Sequence, residues 1–353
     1  DRGNVVDPLT ISEKYGTDAL RFALLSGNSP GNDQRITDDR VEASRNLANK
    51  LWNASRFVLQ MVEPGDDLTL PQPGTGAIED RWILSRLDTV TEDVDRLMRA
   101  FELSEAVRQV RDFFWDEFAD WYIELSKVRV RADDRSAIPV LVHTLDSVLR
   151  LLHPFMPFVT EEIWQRLNVL RPDPDGAPAL MVAAYPTPEG TRKDPEAERQ
   201  LTAVQEFVRA IRNVRAEKKV DAGRWVECYI VGGDASETAR ALAPSIEMLG
   251  RVRPLHVVAS TAEAPTEGVV TAVLAVGQVV LPMAGLFDQD AERERLQKQI
   301  AEAEANIARQ EAKLSNEAFT AKAPEAVVAK ERERLETEQG RLEGLRASLA
   351  ELG

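Results

Sequence analysis

Apolar residues recur at helical spacing through most of the stretch from residue 40 to residue 170, and this periodicity constrains the fold more than any other feature. They repeat every three or four residues in successive segments near 40–62, 79–97, 104–131, 136–152 and 160–167. A stripe with this spacing covers one face of an α-helix and has to be buried against another element. Helices of this length joined by short loops predict an antiparallel helical bundle.

The flanking sequence adds a leading helix and a smaller unit that contains strands. A helix is predicted from about Thr10 to Leu25. After the Pro- and Gly-rich stretch 171–198, helices near 196–219 and 236–250 combine with strand-like runs at 225–232, 255–260, 269–276 and 278–283. This order predicts a small α+β unit. We therefore expect four regions, with boundaries at 1–37, 38–188, 189–287 and 288–353.

The last 66 residues, 288–353, carry two runs of apolar residues at alternating steps of three and four. This spacing is typical of the a and d positions of a coiled coil, although Gln310, Glu331 and Glu338 make the seam partly polar. Two helices of about 30 residues form an arm on the order of 40 Å long. The sequence thus predicts a mainly α protein with a bundle, a small α+β unit and an antiparallel two-helix coiled-coil arm.

Composition excludes several classes of function. The formal net charge of −15 argues against a surface that binds polyanions everywhere. With Cys228 as the only cysteine and three histidines, neither a disulfide framework nor a metal cluster is expected. The sequence has no signal-peptide pattern, no long apolar run and no nucleotide-binding or nucleophile motif. We expect a cytoplasmic chain that has no membrane partner, no metal, no catalytic residue and no cofactor of its own.

The first bundle helix has an unusual polar composition. It contains three asparagines, Asn46, Asn49 and Asn53, and each costs about 0.6 kcal/mol relative to alanine in a helix interior. At 100° per residue, Asn46, Asn53 and two further side chains, Lys50 and Phe57, fall within about a 60° arc. They form either a solvated helix edge or a surface that offers amides, a cation and an aromatic face. Arginines at 40, 45 and 56 make the neighbourhood locally basic.

Several sequence motifs resemble the family of bacterial valyl-tRNA synthetases, which are class I aminoacyl-tRNA ligases. The motifs are 2-RGNVVDPL-9, 32-NDQRI-36, 45-RNLANKLWNASRFVL-59, 115-WDEFADWYIE-124, 151-LLHPFMPFVTEEIW-164 and 319-FTAKAPEAVVAKERERL-335. The resemblance extends over essentially the whole chain. It implies that this is the C-terminal part of such an enzyme, with its bundle acting as a class I anticodon-binding domain.

The resemblance also implies a division of labour within a longer protein. Arg2, Gly3 and Asn4 would immediately follow the KMSKS signature of the catalytic domain, and no HIGH motif is present. ATP with Mg²⁺ would be used in that catalytic domain, and the parent enzyme is expected to be a monomer. We therefore expect no adenylate formation and no editing by this chain alone.

The implied partner is tRNA-Val, and no DNA partner is expected. The anticodon would contact the first bundle helix through Arg40, Arg45, Asn46, Asn49, Lys50, Asn53, Arg56 and Phe57. The outer corner of the tRNA would contact the arm through Arg309, Lys313, Lys322, Lys330, Arg334 and Arg341. The α+β unit is interpreted as a structural spacer that orients the arm.

Two alternatives stay open at this point. The chain could be the same portion of an isoleucyl- or leucyl-type ligase, although the terminal hairpin and the lack of cysteine ligands argue against this. It could instead be a non-catalytic adaptor whose coiled-coil arm binds a protein. An arm that dimerises and does not bind RNA would favour the adaptor.

Overall fold

The computed structural model describes residues 7–27, 36–282, 289–315 and 325–351. The leading helix is interrupted, contrary to prediction, and consists of α1 (Pro8–Tyr15) and α2 (Thr17–Leu25). Gly16 separates them with a φ of 93°, a backbone conformation that a residue with a side chain rarely adopts. Asp18, near the start of α2, accepts hydrogen bonds from two backbone amides at the start of α8, so α2 packs onto the bundle.

The predicted helical bundle is confirmed. Its helices are α3 (Asp38–Met61), α4 (Ile78–Arg99), α5 (Leu103–Asp112), α6 (Ile123–Arg131), α7 (Ile138–Leu152) and α8 (Pro157–Leu170). Helix α8 begins at Pro157, three residues before the predicted segment 160–167. The hydroxyl of Thr160 is buried and donates to the carbonyl oxygen of Met156 at 2.7 Å.

Helices α5 and α6 are joined without a break by ten residues of π-helix, Phe113–Tyr122. The wider π turns keep Phe114, Phe118 and Tyr122 on the buried face at a spacing of four residues. Trp121 is also turned inward and is 6% exposed, whereas Trp115 is only partly covered. The aromatic run therefore forms core along one side and offers one ring to the surface beside α3.

A buried polar network fixes the middle of the bundle. Oδ1 of Asp80 accepts a hydrogen bond from Tyr122 Oη at 2.6 Å and from Arg129 Nη1 at 2.6 Å. Arg129 also donates through Nε to Asp134 at 2.8 Å. Burial and the charge of Asp80 raise the pKa of Tyr122, so its hydroxyl stays protonated. Because these partners come from different helices, the network sets how α4 and α6 pack.

The α+β unit contains a four-stranded sheet in the order β2–β1–β4–β3. Its elements are α9 (Pro195–Glu217), β1 (Val226–Val231), α10 (Ser236–Ala241), α11 (Ala243–Gly250), β2 (Val252–Val258), β3 (Val269–Leu274) and β4 (Gly277–Pro282). Strands β1 and β2 are parallel, and the other pairings are antiparallel. The single helix predicted at 236–250 is divided because Pro244 begins a new first turn.

The bundle and the α+β unit share one hydrophobic core. Buried residues from Phe22 through the bundle helices, α9 and the sheet to Leu281 form a continuous cluster. Helix α9 connects the two parts, since Arg81 of α4 pairs with Asp194 just before α9 at 3.1 Å. The predicted boundary at 188/189 remains a prediction; both residues are exposed, and the parts on either side of them share this core.

The arm consists of α12 (Gln289–Ser315) and α13 (Glu325–Glu351). Lys313 pairs with Glu331 at 3.2 Å, and Arg346 pairs with Glu304 at 2.7 Å. Residue numbers thus fall along one helix as they rise along the other, so the helices are antiparallel. Leu296 and Ala303 are buried in the seam, which confirms the predicted coiled-coil arm.

Candidate nucleic-acid interface

Helix α3 buries one face in the bundle and exposes the opposite one. Leu47, Leu51 and Val58 are each 2% exposed or less. The exposed face carries Asn46, Asn49, Asn53 and Arg56. None of these four side chains makes a hydrogen bond or ion pair with another residue of the described ranges. The asparagines therefore leave their donors and acceptors open to solvent along about two turns of a packed helix.

Lys50 and Phe57 lie on one flank of this face and already have partners. Lys50 Nζ is 2.5 Å from Asp120 Oδ1 and 3.9 Å from the centre of the Trp115 ring. The Phe57 ring is covered by Lys127, whose Nζ lies 4.4 Å from the ring centre. The asparagine amides of the predicted arc are therefore open to solvent. Its cation, Lys50, and its aromatic ring, Phe57, already contact side chains of the α5–α6 segment.

The locally basic character predicted around Lys50 needs correction. The α5–α6 segment brings Asp112, Asp116 and Asp120 to the same side of the bundle. Burial, followed by the negative charges of Asp112 and Asp120, raises the pKa of Asp116, and Lys50 opposes that rise. Sequence reasoning missed this compensation because Asp120 is 70 residues from Lys50.

The arginines of α3 differ in their environment. Arg40 donates through Nε to the carbonyl oxygen of Ala23 at 3.1 Å and through Nη2 to that of Ser26. It therefore caps the C-terminal end of α2, where carbonyl groups lack helical partners. Arg45 pairs with Glu42 at 2.8 Å and lies beside the Tyr15 ring. The structure gives these two arginines internal roles, whereas Arg56 points to solvent.

A groove of about 540 Å³ adjoins the occupied flank of α3. It lies between the end of α2, the first half of α3 and α5, and Leu47 and Trp115 form part of its wall. Arg108 and Arg111 line it together with Asp112. Each of these arginines is ion-paired with an acidic neighbour, so the groove combines an apolar wall with compensated charges.

The basic residues of the arm are mostly engaged with the arm itself. Arg334 pairs with Glu331 at 3.0 Å, and Arg341 pairs with Glu338 at 3.5 Å. Lys313 also pairs with Glu331, and Arg309 donates to Asn306 at 2.5 Å. Lys330 is exposed. The remaining predicted residues, Lys322, Arg2, Gly3 and Asn4, lie outside the described residues.

A second surface combines arginines with tryptophan rings, and sequence reasoning did not find it. Arg209 and Arg212 lie over Trp121, and Arg251 and Arg253 lie over Trp225. The sequence signal for this surface was weak, because Arg209 and Arg212 belong to a strongly charged helix and Arg251 belongs to a turn. Only the fold brings them together.

Within the described parts of the chain, no group of three or more His, Cys, Asp or Glu residues has a geometry that could hold a metal ion. No helix in those parts is both long and apolar enough to cross a membrane.

Two families match parts of the chain. Residues 80–230 match the family described as "Anticodon-binding domain of tRNA ligase", and residues 288–353 match "Valyl tRNA synthetase tRNA binding arm". The first match covers α4 to β1 and starts after α3. The second covers both arm helices.

Named relatives align along nearly the whole chain. A valine–tRNA ligase of Dehalococcoides mccartyi is 47% identical over 95% of this chain and 38% of its own length. A valine–tRNA ligase of Bacillus cereus is 37% identical over 99% of this chain and 40% of its own length. The chain thus spans about two fifths of the length of these relatives. A Mycobacterium tuberculosis methionyl-tRNA synthetase structure aligns with 53% of this chain and 40% of its own at 25% identity, with a TM-score of 0.40.

Proposed function

The chain belongs to the valine–tRNA ligase family, whose C-terminal part it matches, and from this premise we propose that α3 recognises the anticodon of tRNA-Val. The observation that carries the proposal is the row of open asparagine amides on α3. Sequence-specific proteins bind single-stranded RNA loops by hydrogen bonds to base edges and by stacking on aromatic side chains. Asn46, Asn49 and Asn53 supply the first kind of contact, since each amide both donates and accepts.

The flank of α3 supplies the stacking contact. Phe57 is half-buried, and a lysine side chain, which is long and flexible, covers its outer face. A base that stacks on Phe57 would move Lys127 aside and leave its charge close enough to meet a phosphate. One such stack contributes about 1–3 kcal/mol, which offsets the roughly 2 kcal/mol that three asparagines cost the helix.

The arm would contact the tRNA at its outer corner. Arg334 and Arg341 are about half exposed although they are ion-paired. Exposed pairs of this kind contribute little to stability, so a phosphate can replace the glutamate at small cost. Contacts of this type recognise the shape and charge of folded RNA rather than its sequence.

We propose that the complete enzyme catalyses the reaction after which its relatives, the valine–tRNA ligases, are named. ATP, L-valine and tRNA-Val would give valyl-tRNA-Val, AMP and diphosphate. ATP and Mg²⁺ would be used in the part of the enzyme that this chain does not span. The complete enzyme would act as a monomer in the cytoplasm.

The test is the affinity of this chain for two transcripts at several salt concentrations. One is tRNA-Val, and the other has its two discriminating anticodon bases exchanged. We expect tighter binding to the native anticodon by about 1–3 kcal/mol. Equal binding to both would contradict anticodon recognition by α3. Absence of binding to either would contradict tRNA binding by this part of the enzyme.

A further inference from the structure

Two tryptophan rings on the side of α9 and β2 are each covered by a pair of arginines. The guanidinium carbons of Arg209 and Arg212 lie 5.6 and 5.8 Å from the ring centre of Trp121. Those of Arg251 and Arg253 lie 5.1 and 4.6 Å from the ring centre of Trp225. All four arginines are exposed. We call these four arginines and the Trp225 ring the arginine patch.

Hydrogen bonds from arginine side chains to backbone carbonyl oxygens hold the two halves of the patch side by side. Arg212 donates through Nε to the carbonyl oxygen of Leu249 at 2.9 Å, near the end of α11. Arg215 is buried and donates to the carbonyl oxygen of Arg251 at 3.1 Å. These bonds tie α9 to the turn that leads into β2, so both arginine pairs face the same part of the surface.

Acidic residues compensate the patch only partly. Glu247 lies 3.4 Å from Arg253, while Arg209 and Arg251 have no ion pair within the described residues. Burial and the nearby charge of Arg251 lower the pKa of Arg215. Burial lowers that of Arg212, with Arg209 adding to the effect and Glu124 and Asp120 opposing it. On a chain with a net charge of −15, four exposed arginines with one ion pair among them in the described residues form a local concentration of positive charge.

The α5–α6 segment connects the patch with the flank of α3. Asp120, the partner of Lys50, directly precedes Trp121, which Arg209 and Arg212 cover. Lys127, which covers Phe57, pairs with Glu124 at 2.6 Å, and Glu124 acts on Arg212. Asp120 and Glu124 therefore lie between the lysines that flank α3 and the arginines that cover Trp121.

We propose that the arginine patch binds the sugar–phosphate backbone of the tRNA outside the anticodon loop. This inference rests on the proposed function, and it assigns the α+β unit a binding role rather than that of a spacer. Arginines stacked on tryptophan are preorganised, so they lose little side-chain freedom when they meet a phosphate. A patch built for phosphates binds independently of base identity and depends on salt.

The test compares two double variants of the full chain against both transcripts. R251Q/R253Q removes two cations of the patch. R199Q/R240Q removes two exposed arginines elsewhere in the same unit, and Arg199 lies ten residues before Arg209, about 15 Å along α9. We expect R251Q/R253Q to weaken binding of both transcripts about tenfold at 0.15 M salt and to reduce the salt slope by about one to two. The control double variant should change affinity less than twofold.

A third variant tests the patch in the opposite direction. E247Q removes the carboxylate that partly neutralises Arg253, and we expect it to tighten binding of both transcripts about twofold to threefold. A folding defect cannot produce such a gain.

The outcomes separate this inference from the proposed function. If the wild-type chain prefers the native anticodon while R251Q/R253Q binds as tightly as wild type, only the patch is refuted. Equal weakening by both double variants also refutes it, because the effect would then follow net charge alone. If the wild-type chain binds neither transcript, the proposed function and the patch both fail.

Discussion

The bundle and the arm place their charged side chains in different ways. In the bundle, ion pairs join residues far apart in sequence, such as Asp80 with Arg129 and Arg135 with Asp66, 49 and 69 residues apart. In the arm, Arg334 and Arg341 pair with residues one turn away on the same helix, and the cations that pair across the seam, Lys313 and Arg346, are 45% and 60% exposed. The largely buried bundle pairs therefore fix how helices pack, while the arm pairs mainly compensate charge on a surface.

This difference indicates what each region can recognise. Arg135 also donates to the carbonyl oxygen of Met61 at 2.8 Å, which anchors the C-terminal end of α3 to the rest of the bundle. A fixed helix can place amides where base edges require them. The arm helices each carry more acidic than basic residues, and they contact each other along one seam. Such an arm suits recognition of shape more than of sequence.

The largest expected effect is on the stability of the bundle. Asp80→Ala leaves the guanidinium of Arg129 buried without its main partner, and we expect a loss of about 3–5 kcal/mol in the free energy of unfolding. Urea denaturation followed by tryptophan fluorescence measures it, since all tryptophans precede the arm. The matched arm variant, Glu331→Ala, should have a far smaller effect on the helicity of the arm because its partners Lys313 and Arg334 are exposed. A comparable loss of stability in Asp80→Ala and Glu331→Ala would contradict the difference between the bundle and the arm.

A smaller effect comes from pH. His143 lines a cavity of about 250 Å³ in the bundle, and its Nδ1 has no hydrogen-bond partner among the described residues. Burial lowers the pKa of His143 from 6.5 to about 3, and the positive charges of Arg171, Arg192 and Arg150 add to this effect. Asp88, Asp146 and Asp173 line the same cavity. Between these pKa values the unfolded chain binds a proton that the folded chain does not, so stability is complete above pH 6.5 and falls as the pH drops towards 3.

We expect a loss of about 1 kcal/mol between pH 7.5 and 5.5. His143→Gln should abolish most of this slope, whereas His256→Gln, at a half-buried sheet position, should keep it. Urea denaturation at both pH values decides the point. The arm has no histidine, so the slope belongs to the bundle and the α+β unit. An unchanged slope in His143→Gln would contradict a buried neutral histidine.

Sequence periodicity predicted the helices, the strands and the arm because burial of a regular stripe is a local property. The helix breaks were harder to predict. Gly16 separates α1 from α2, and Pro244 begins α11, where periodicity predicts one continuous helix in each case. The π turns at 113–122 preserve helical spacing while changing the pitch of the helix. The polar arc of α3 was also predicted from spacing, beside the apolar stripe, and the structure exposes its asparagines on the face opposite that stripe. Periodicity gave no information on what lies beside them.

The partners of the candidate site depend on tertiary packing. Lys50 is predicted to contact RNA, and in the structure Asp120 of another helix pairs with it. Arg40 is also predicted to contact RNA, and in the structure it caps α2. The arginine patch draws on α9, the turn before β2, the start of β2 and the ring of Trp225. No local pattern in the sequence could bring these together.

The central claim is that α3 recognises bases while the arm recognises shape, and a thermodynamic cycle tests it most directly. Affinities of the wild type, Phe57→Leu and R334Q/R341Q are measured for the native and the anticodon-exchanged transcripts. Phe57→Leu keeps an apolar side chain in the bundle and loses the ring. We predict that it removes about 1–3 kcal/mol of discrimination between the transcripts, while R334Q/R341Q weakens both equally and lowers the salt slope. Discrimination that survives Phe57→Leu but is lost in R334Q/R341Q would contradict the account.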